Sequence, residues 1–401
     1  MEHDLLPIPG IKLASTSAGI YKNKRDDITL FQIDKEASVA AVFTKNIFAA
    51  APVVIAKKHL SSGVPIQYLL INAGNANAGL GERGEEYALE TCKAVSDNTN
   101  SSIESILPFS TGVIGERFPF EKINNVIPYL TNHLNVNGWQ DSAKAIMTTD
   151  TVVKAISSTV TLSGKTVTIT GIAKGSGMIK PNMATMLAFI GTDAAINTST
   201  LQNLLKETAN MTFNRITVDG DTSTNDACVL IATGLAKNEK ITSTSSTDYD
   251  LLKQAVFRVC EHLARSIIKD GEGATKFIEI VVKGGKSQQV CLEVAYTIAH
   301  SPLVKTAFFA SDPNWGRILA AIGRVTNPDF EIGCINIFLD NVCIVESGAR
   351  SASYTEEQGI AIMSRPDIRL TVELGKGECE ESVWTTDLSH EYVSINADYR
   401  S

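Results

Sequence analysis

The sequence predicts an α+β layered sandwich, and three observations carry that reading. Some segments repeat apolar residues at the three-to-four spacing of a helix face, and others run β-branched or alternating like strands. The two kinds come mixed, without the regular β-α-β order of a doubly wound parallel sheet. Along the chain, Ile28–Ile33 and Gln67–Ile71 read as strands and Glu85–Val95 as a helix. Thr166–Ala173 and Thr185–Ile190 read as strands, with Gly164-Lys165-Thr166 as a hairpin turn before the first of them. Leu201–Met211 reads as a helix, and the Ser/Thr run from Ile241 to Thr247 as a solvated loop. Between Leu251 and Ile268 the apolar positions Leu252, Val256, Val259, Leu263 and Ile267 share one helical face. Phe277–Val282, Cys334–Leu339 and Leu370–Leu374 complete the strands, and the composition shift at Gly284-Gly285-Lys286 suggests either a C-terminal subdomain over 286–401 or a hairpin turn.

Composition removes several function classes. With 401 residues, 44% hydrophobic and 20% charged, the chain can bury a large core. Lys plus Arg number 36 against 44 Asp plus Glu, a net charge of −8, so nucleic acid is not an expected partner. No stretch reaches the ~18 apolar residues of a membrane span, and the start Met1-Glu2-His3-Asp4 is acidic where a signal peptide is basic. A cytoplasmic location is the expectation. The seven cysteines and six histidines are dispersed, without C-x-x-C or H-E-x-x-H, so no metal site and no Ser-His base is expected. Gly164-Lys165-Thr166 has Thr159 where a phosphate-binding loop needs its first glycine. Gly271-Glu272-Gly273 lacks the third glycine of a dinucleotide fingerprint and follows a helix.

The informative string is Lys174-Gly-Ser-Gly-Met-Ile-Lys-Pro-Asn-Met-Ala-Thr-Met-Leu187. Gly175, Gly177 and Pro181 restrain a loop that ends in a small residue, Ala184, and a hydroxyl, Thr185, before an apolar run. Attack of the Thr185 hydroxyl on the Ala184 carbonyl would turn the peptide into an ester, whose hydrolysis leaves Thr185 with a free α-amine. Such an amine titrates near ~7.7–8.0 and supplies a base without imidazole. The same residues also read as a plain Gly/Pro loop with a threonine opening a strand.

The whole string resembles the cleavage-site signature of the ornithine acetyltransferase family of arginine biosynthesis. Ordered matches extend the resemblance over the chain: Ala41–Asn46, Asn72–Ala78, Ser110–Gly115, Ala145–Asp150, Val218–Asn225, Asp270–Lys276, Ser311–Arg317 and Asn396–Ser401. The resemblance implies an α/β/β/α sandwich, a self-cleaved precursor with chains 1–184 and 185–401, and a heterotetramer of two of each. It implies Thr185 as nucleophile, Thr111 and Gly112 as oxyanion hole, and Thr148, Lys174, Thr185, Glu272, Asn396 and Ser401 as substrate contacts. The implied reaction moves acetyl from N-acetylornithine to glutamate through acetyl-Thr185, with no bound cofactor. Bifunctional members also load acetyl from acetyl-CoA. The rival is a hydrolase of related architecture with the same self-exposed nucleophile, in which water replaces glutamate; Glu272 and the C-terminal string argue against it. A non-catalytic binder of the same fold would not need the Ala184-Thr185 junction.

Overall fold

The computed structural model describes residues 5–22, 24–180, 186–326 and 330–398. The chain forms two compact units, the first of residues 1–214 and 221–267, the second of residues 215–220 and 268–401.

Unit 1 opens with β1 (Ile11–Thr16), β2 (Ile28–Ile33) and β3 (Ser38–Phe43), then α1 (Ala51–Leu60), β4 (Tyr68–Asn75) and α2 (Glu82–Thr99). β5 (Ile106–Val113), α3 (Phe120–Asn132), α4 (Trp139–Ala145) and the β6 (Lys154–Leu162) and β7 (Lys165–Lys174) hairpin follow. β8 (Leu187–Thr192) and α5 (Thr198–Met211) precede the short β9 (Ile216–Thr217) of unit 2, after which β10 (Ala227–Ala232) and α6 (Thr247–Lys269) return to unit 1. One sheet has the order β1-β2-β4-β5 and the other β3-β10-β8-β7-β6. Alternation decides the layers. Leu13, Phe31, Leu69, Ile71 and Phe109 of the first sheet share one core with Ala41, Ile172, Leu187, Phe189 and Val229 of the second, so the sheets lie face to face. The opposite face of the first sheet, through Ile28, Leu30, Tyr68 and Leu70, packs on Tyr87, Cys92 and Val95 of α2 and Ile123 and Ile127 of α3. On the outer side of the second sheet, a side chain at Gly171 would run into Val259 and Leu263 of α6. Unit 1 is therefore a helix/sheet/sheet/helix sandwich.

Unit 2 holds β9, β11 (Phe277–Gly285), α7 (Gln288–Ala299), α8 (Pro302–Phe309), α9 (Trp315–Ile322), β12 (Asn336–Leu339), β13 (Val342–Glu346) and β14 (Ala349–Arg350). It ends with α10 (Glu356–Met363), β15 (Asp367–Glu373), β16 (Cys379–Thr386) and α11 (His390–Ala397). Its seven strands order as β14-β13-β12-β15-β11-β16-β9. One face, with Ile278, Ile280, Leu370 and Val372, is buried against Val294, Ile298, Phe308, Ile318 and Ile362 of the helices. In β15 the other face carries Asp367 and Arg369, which gives the strand its half-buried alternation.

Several expectations shift at their edges. The strand expected at Thr185–Ile190 is described from Leu187 to Thr192, and Cys334 closes a single 3-10 turn rather than opening β12. The hairpin turn expected at Gly164-Lys165-Thr166 lies one residue earlier, at Ser163-Gly164, both at positive φ, and Lys165 and Thr166 already belong to β7. The break between the units falls at Ile267/Ile268, near the end of α6, whereas the composition changes at Gly284-Gly285-Lys286, where β11 ends inside unit 2. Cys92, Cys228, Cys260 and Cys291 are buried free thiols, while Cys334, Cys343 and Cys379 are partly exposed. Among the described residues no helix is long and apolar enough to cross a membrane, and no cluster of His, Cys, Asp or Glu could hold a metal ion.

Candidate active site

Three strand ends and one turn of unit 1 build a polar cluster. β5 runs parallel to β4 and brings Thr111 and Gly112 beside Ala73, Gly74 and Asn75. A Cβ at Gly112 would lie 2.3 Å from the Gly74 carbonyl carbon, so only glycine allows the two backbones this approach. The buried Asn225 side chain braces the strand from below, donating to the carbonyls of Ala76 at 2.6 Å and Ser110 at 2.9 Å. Lys174 is the last residue of β7, and its ammonium donates to the Thr111 hydroxyl oxygen at 3.3 Å. A hydroxyl that accepts from an ammonium keeps its own proton free to donate elsewhere.

The turn at Met147–Val153 completes the cluster. The Thr148 N–H donates to Asp150 Oδ2 at 2.9 Å, and the Gly175 N–H to Asp150 Oδ1 at 2.7 Å. The same Oδ1 takes the Lys154 ammonium at 2.7 Å, in an ion pair whose two side chains are 0% exposed. Burial pushes the Asp150 carboxyl up. The Lys174 and Lys154 charges and the Gly175 N–H outweigh burial and hold it down at about 2. Thr149 and Ser176 hydroxyls meet at 2.7 Å, a second stitch between the turn and the end of β7.

Unit 2 carries a separate polar cluster on the loop after α6. Glu272 is buried and accepts from the Asn396 amide at 2.8 Å. The neighbouring Gly273 adopts φ +66°, and a Cβ there would sit 2.5 Å from the Tyr392 nitrogen, so α11 closes directly on the loop. Ser389 donates to the Gly273 carbonyl at 2.6 Å, and Asp387 accepts from the Thr275 and Lys276 N–H groups at 2.9 and 3.1 Å. Beneath, the buried Lys305 ammonium donates to Thr385 Oγ1 and to the carbonyl and hydroxyl of Thr386. Burial pushes its pKa down to about 7, against the upward pull of Asp387 and Asp219.

Of the residues the sequence singled out, Thr111, Gly112, Thr148 and Lys174 gather in unit 1, and Glu272 and Asn396 pair in unit 2. Ala184, Thr185 and Ser401 lie outside the described residues. Sequence reading missed Asp150, Lys154, Asn225 and Lys305, as well as the buried Asp226. Burial pushes the Asp226 carboxyl well above its usual value, and its Oδ2 has no hydrogen-bond partner among the described residues. Asp150, Asn225 and Asp226 stand in or beside polar strings that carry the family resemblance. Nothing in their local pattern separates a buried acid from a solvated one.

The profile of the ArgJ family matches residues 12–401. The arginine biosynthesis bifunctional protein ArgJ of Pseudomonas syringae pv. tomato is 52% identical over 397 residues, covering 99% of this chain and 98% of that protein. The protein of the same description from Pseudomonas fluorescens is also 52% identical, with the same coverage. Among solved structures, arginine biosynthesis bifunctional protein ArgJ from Bacillus halodurans is 41% identical, with a TM-score of 0.51 over 54% of this chain and 100% of that one.

Proposed function

The chain belongs to the ArgJ family and is an acetyltransferase of arginine biosynthesis, and we propose that it moves acetyl from N-acetylornithine to glutamate through an ester on Thr185. The observation that carries this reading is the unit 1 cluster, in which the four family-matched residues converge from three separate segments. The N-terminal amine of Thr185, once freed from Ala184, takes the hydroxyl proton as Oγ attacks the acetyl carbonyl. Thr111 Oγ1–H and the Gly112 N–H face the oxygen that becomes negative, and donors held in place there lower the barrier without reorganising. Collapse of the intermediate sends the proton to the departing ornithine amine and leaves acetyl-Thr185. Glutamate's amine then attacks the ester, the threonine oxygen recovers a proton, and N-acetylglutamate departs. Lys174 suits a substrate carboxylate and Glu272 a side-chain ammonium, with Thr148, Asn396 and Ser401 as further contacts. Acetyl-CoA serves as a second acetyl donor, the active species is cytoplasmic, and its chains 1–184 and 185–401 assemble as a heterotetramer.

Purified protein incubated with N-acetylornithine and glutamate should yield ornithine and N-acetylglutamate in equal amounts without acetyl-CoA. Acetate release that does not depend on glutamate would instead make the protein a hydrolase. N-acetylglutamate formed from acetyl-CoA and glutamate alone tests the second donor.

A further inference from the structure

The matched string Ala145–Asp150 gives only Thr148 to the acetyl-transfer reading, yet its best-connected side chain is Asp150. Both Asp150 oxygens are committed. Oδ2 holds the backbone of Thr148, and Oδ1 holds the backbone of Gly175, the residue directly after Lys174. The fully buried Lys154 shares Oδ1 and balances the charge. A structural ion pair would need only the lysine. The two backbone N–H groups come from two segments that are 27 residues apart and that each carry a substrate contact.

We propose that Asp150 is a positioning residue, whose carboxylate fixes the spacing between Thr148 and Lys174 by holding the backbones of both segments. The proposal rests on the acetyl-transfer reading for its kinetic consequence. Bonds from N–H groups to an ionised acceptor are short and strong, and the carboxylate stays ionised far below neutral pH, so the clamp is permanent under working conditions. Lys174 in turn reaches Thr111 at 3.3 Å, so a shift at Gly175 carries to the oxyanion donor. Small displacements of groups that orient a substrate cost much in binding and rate.

The test separates holding the fold from holding the site. Lys154→Met removes the counter-ion and keeps both N–H clamps, so Tm should fall while KM for N-acetylornithine stays within about twofold of wild type. Asp150→Asn combined with Lys154→Met removes both charges, but one side of the Asn amide is a donor and must face an N–H. That variant should raise KM about tenfold or more, the cost of a lost charge-assisted hydrogen bond. Deuterium exchange at the Thr148 and Gly175 amides, taken relative to the α6 amides of the same protein so that a change in global stability cancels, gives a readout independent of activity: the ratio in Lys154→Met should match wild type, and in the double variant the two amides should be faster relative to α6. Equal KM in the two variants, or exchange at Thr148 and Gly175 that keeps the wild-type ratio to α6 in the double variant, would each overturn the proposal. If wild type moves no acetyl, the functional reading fails while the exchange contrast still decides whether Asp150 holds the two backbones.

Discussion

Lys154 in unit 1 and Lys305 in unit 2 are both sealed from solvent, at 1% and 5% exposure, and they are held in opposite ways. Lys154 sits against a carboxylate at 2.7 Å, with both side chains buried. Lys305 is held by hydroxyl and carbonyl oxygens of Thr385 and Thr386, with Asp387 and Asp219 acting only through space, and its pKa falls to about 7. An opposite charge offsets the cost of burying a charge, whereas neutral dipoles offset less of it, and burial then favours the neutral form, as it does at Lys305. The first arrangement underlies Thr111, Thr148 and Lys174, the groups assigned to orient and stabilise charge. The second lies under the loop that carries Glu272, to which only binding is assigned.

The contrast breaks most visibly at the nucleophile. Thr185→Ala should leave a single chain with no turnover, while Thr185→Ser keeps part of both, as terminal sequencing and an ornithine-release assay will show. An uncleaved chain with full activity would remove the amine as base. Thr111→Val keeps the shape of a unit 1 donor and deletes its proton, so kcat should drop by ~10²–10³ with KM little changed. Lys305→Met tests the other side. Because the folded-state pKa of Lys305 lies below that of an unfolded chain, the unfolded state binds more protons between pH ~7 and ~10. Wild-type stability should therefore rise across that window by up to a few kcal/mol, and the variant should show no such rise in urea melts at the two ends.

Asp150 has the reverse sign. Its lowered folded-state pKa adds stability that is complete above pH ~4 and lost as pH falls through about 2, worth about 2 kcal/mol, and the double variant at positions 150 and 154 should melt with a flatter acid limb. The smallest effect is expected at Glu272→Gln, which keeps the Asn396 contact and removes the charge. KM for N-acetylornithine should rise about tenfold with kcat less affected. A kcat loss equal to that of Thr111→Val would erase the division of labour between the two units.

The elements most legible in the sequence are those with one wet face. Val256, Val259, Leu263 and Ile267 mark α6 because the half-exposed Glu261 and Arg265 fall between them on its other side. The turn between β6 and β7 declares itself through Gly164, which takes a positive φ at no steric cost. β10, buried along its whole length as Ala-Cys-Val-Leu-Ile-Ala, offers no alternation, and its parallel pairing with β8 depends on contacts about 40 residues apart. The candidate site divides in the same way. Thr111, Lys174 and Glu272 were legible because ordered strings matched a family, which carries chemistry that spacing alone does not. Asp150 and Lys154, four residues apart, look in sequence like a solvated surface pair, and Lys305 within Pro302–Phe309 looks like a lysine reaching for water. Only the three-dimensional enclosure reverses those readings.

In the five-stranded sheet, β10 and β8 lie side by side, flanked by β3 on one edge and by β7 and β6 on the other. The inner two come after the Ala184-Thr185 junction in the chain, and the outer three precede it. Residues 227–232 pair with 38–43, and residues 187–192 pair with 169–174, so two seams of main-chain hydrogen bonds join strands from opposite sides of the junction. Scission there would yield interwoven products rather than neighbours. Neither fragment synthesised alone could complete this sheet, and mixing two separately refolded pieces should not restore it as translation of one continuous message does. Dilution would not part the halves either: pulling them asunder means ripping out strands, so a denaturant should release both together and at the concentration that melts the sheet.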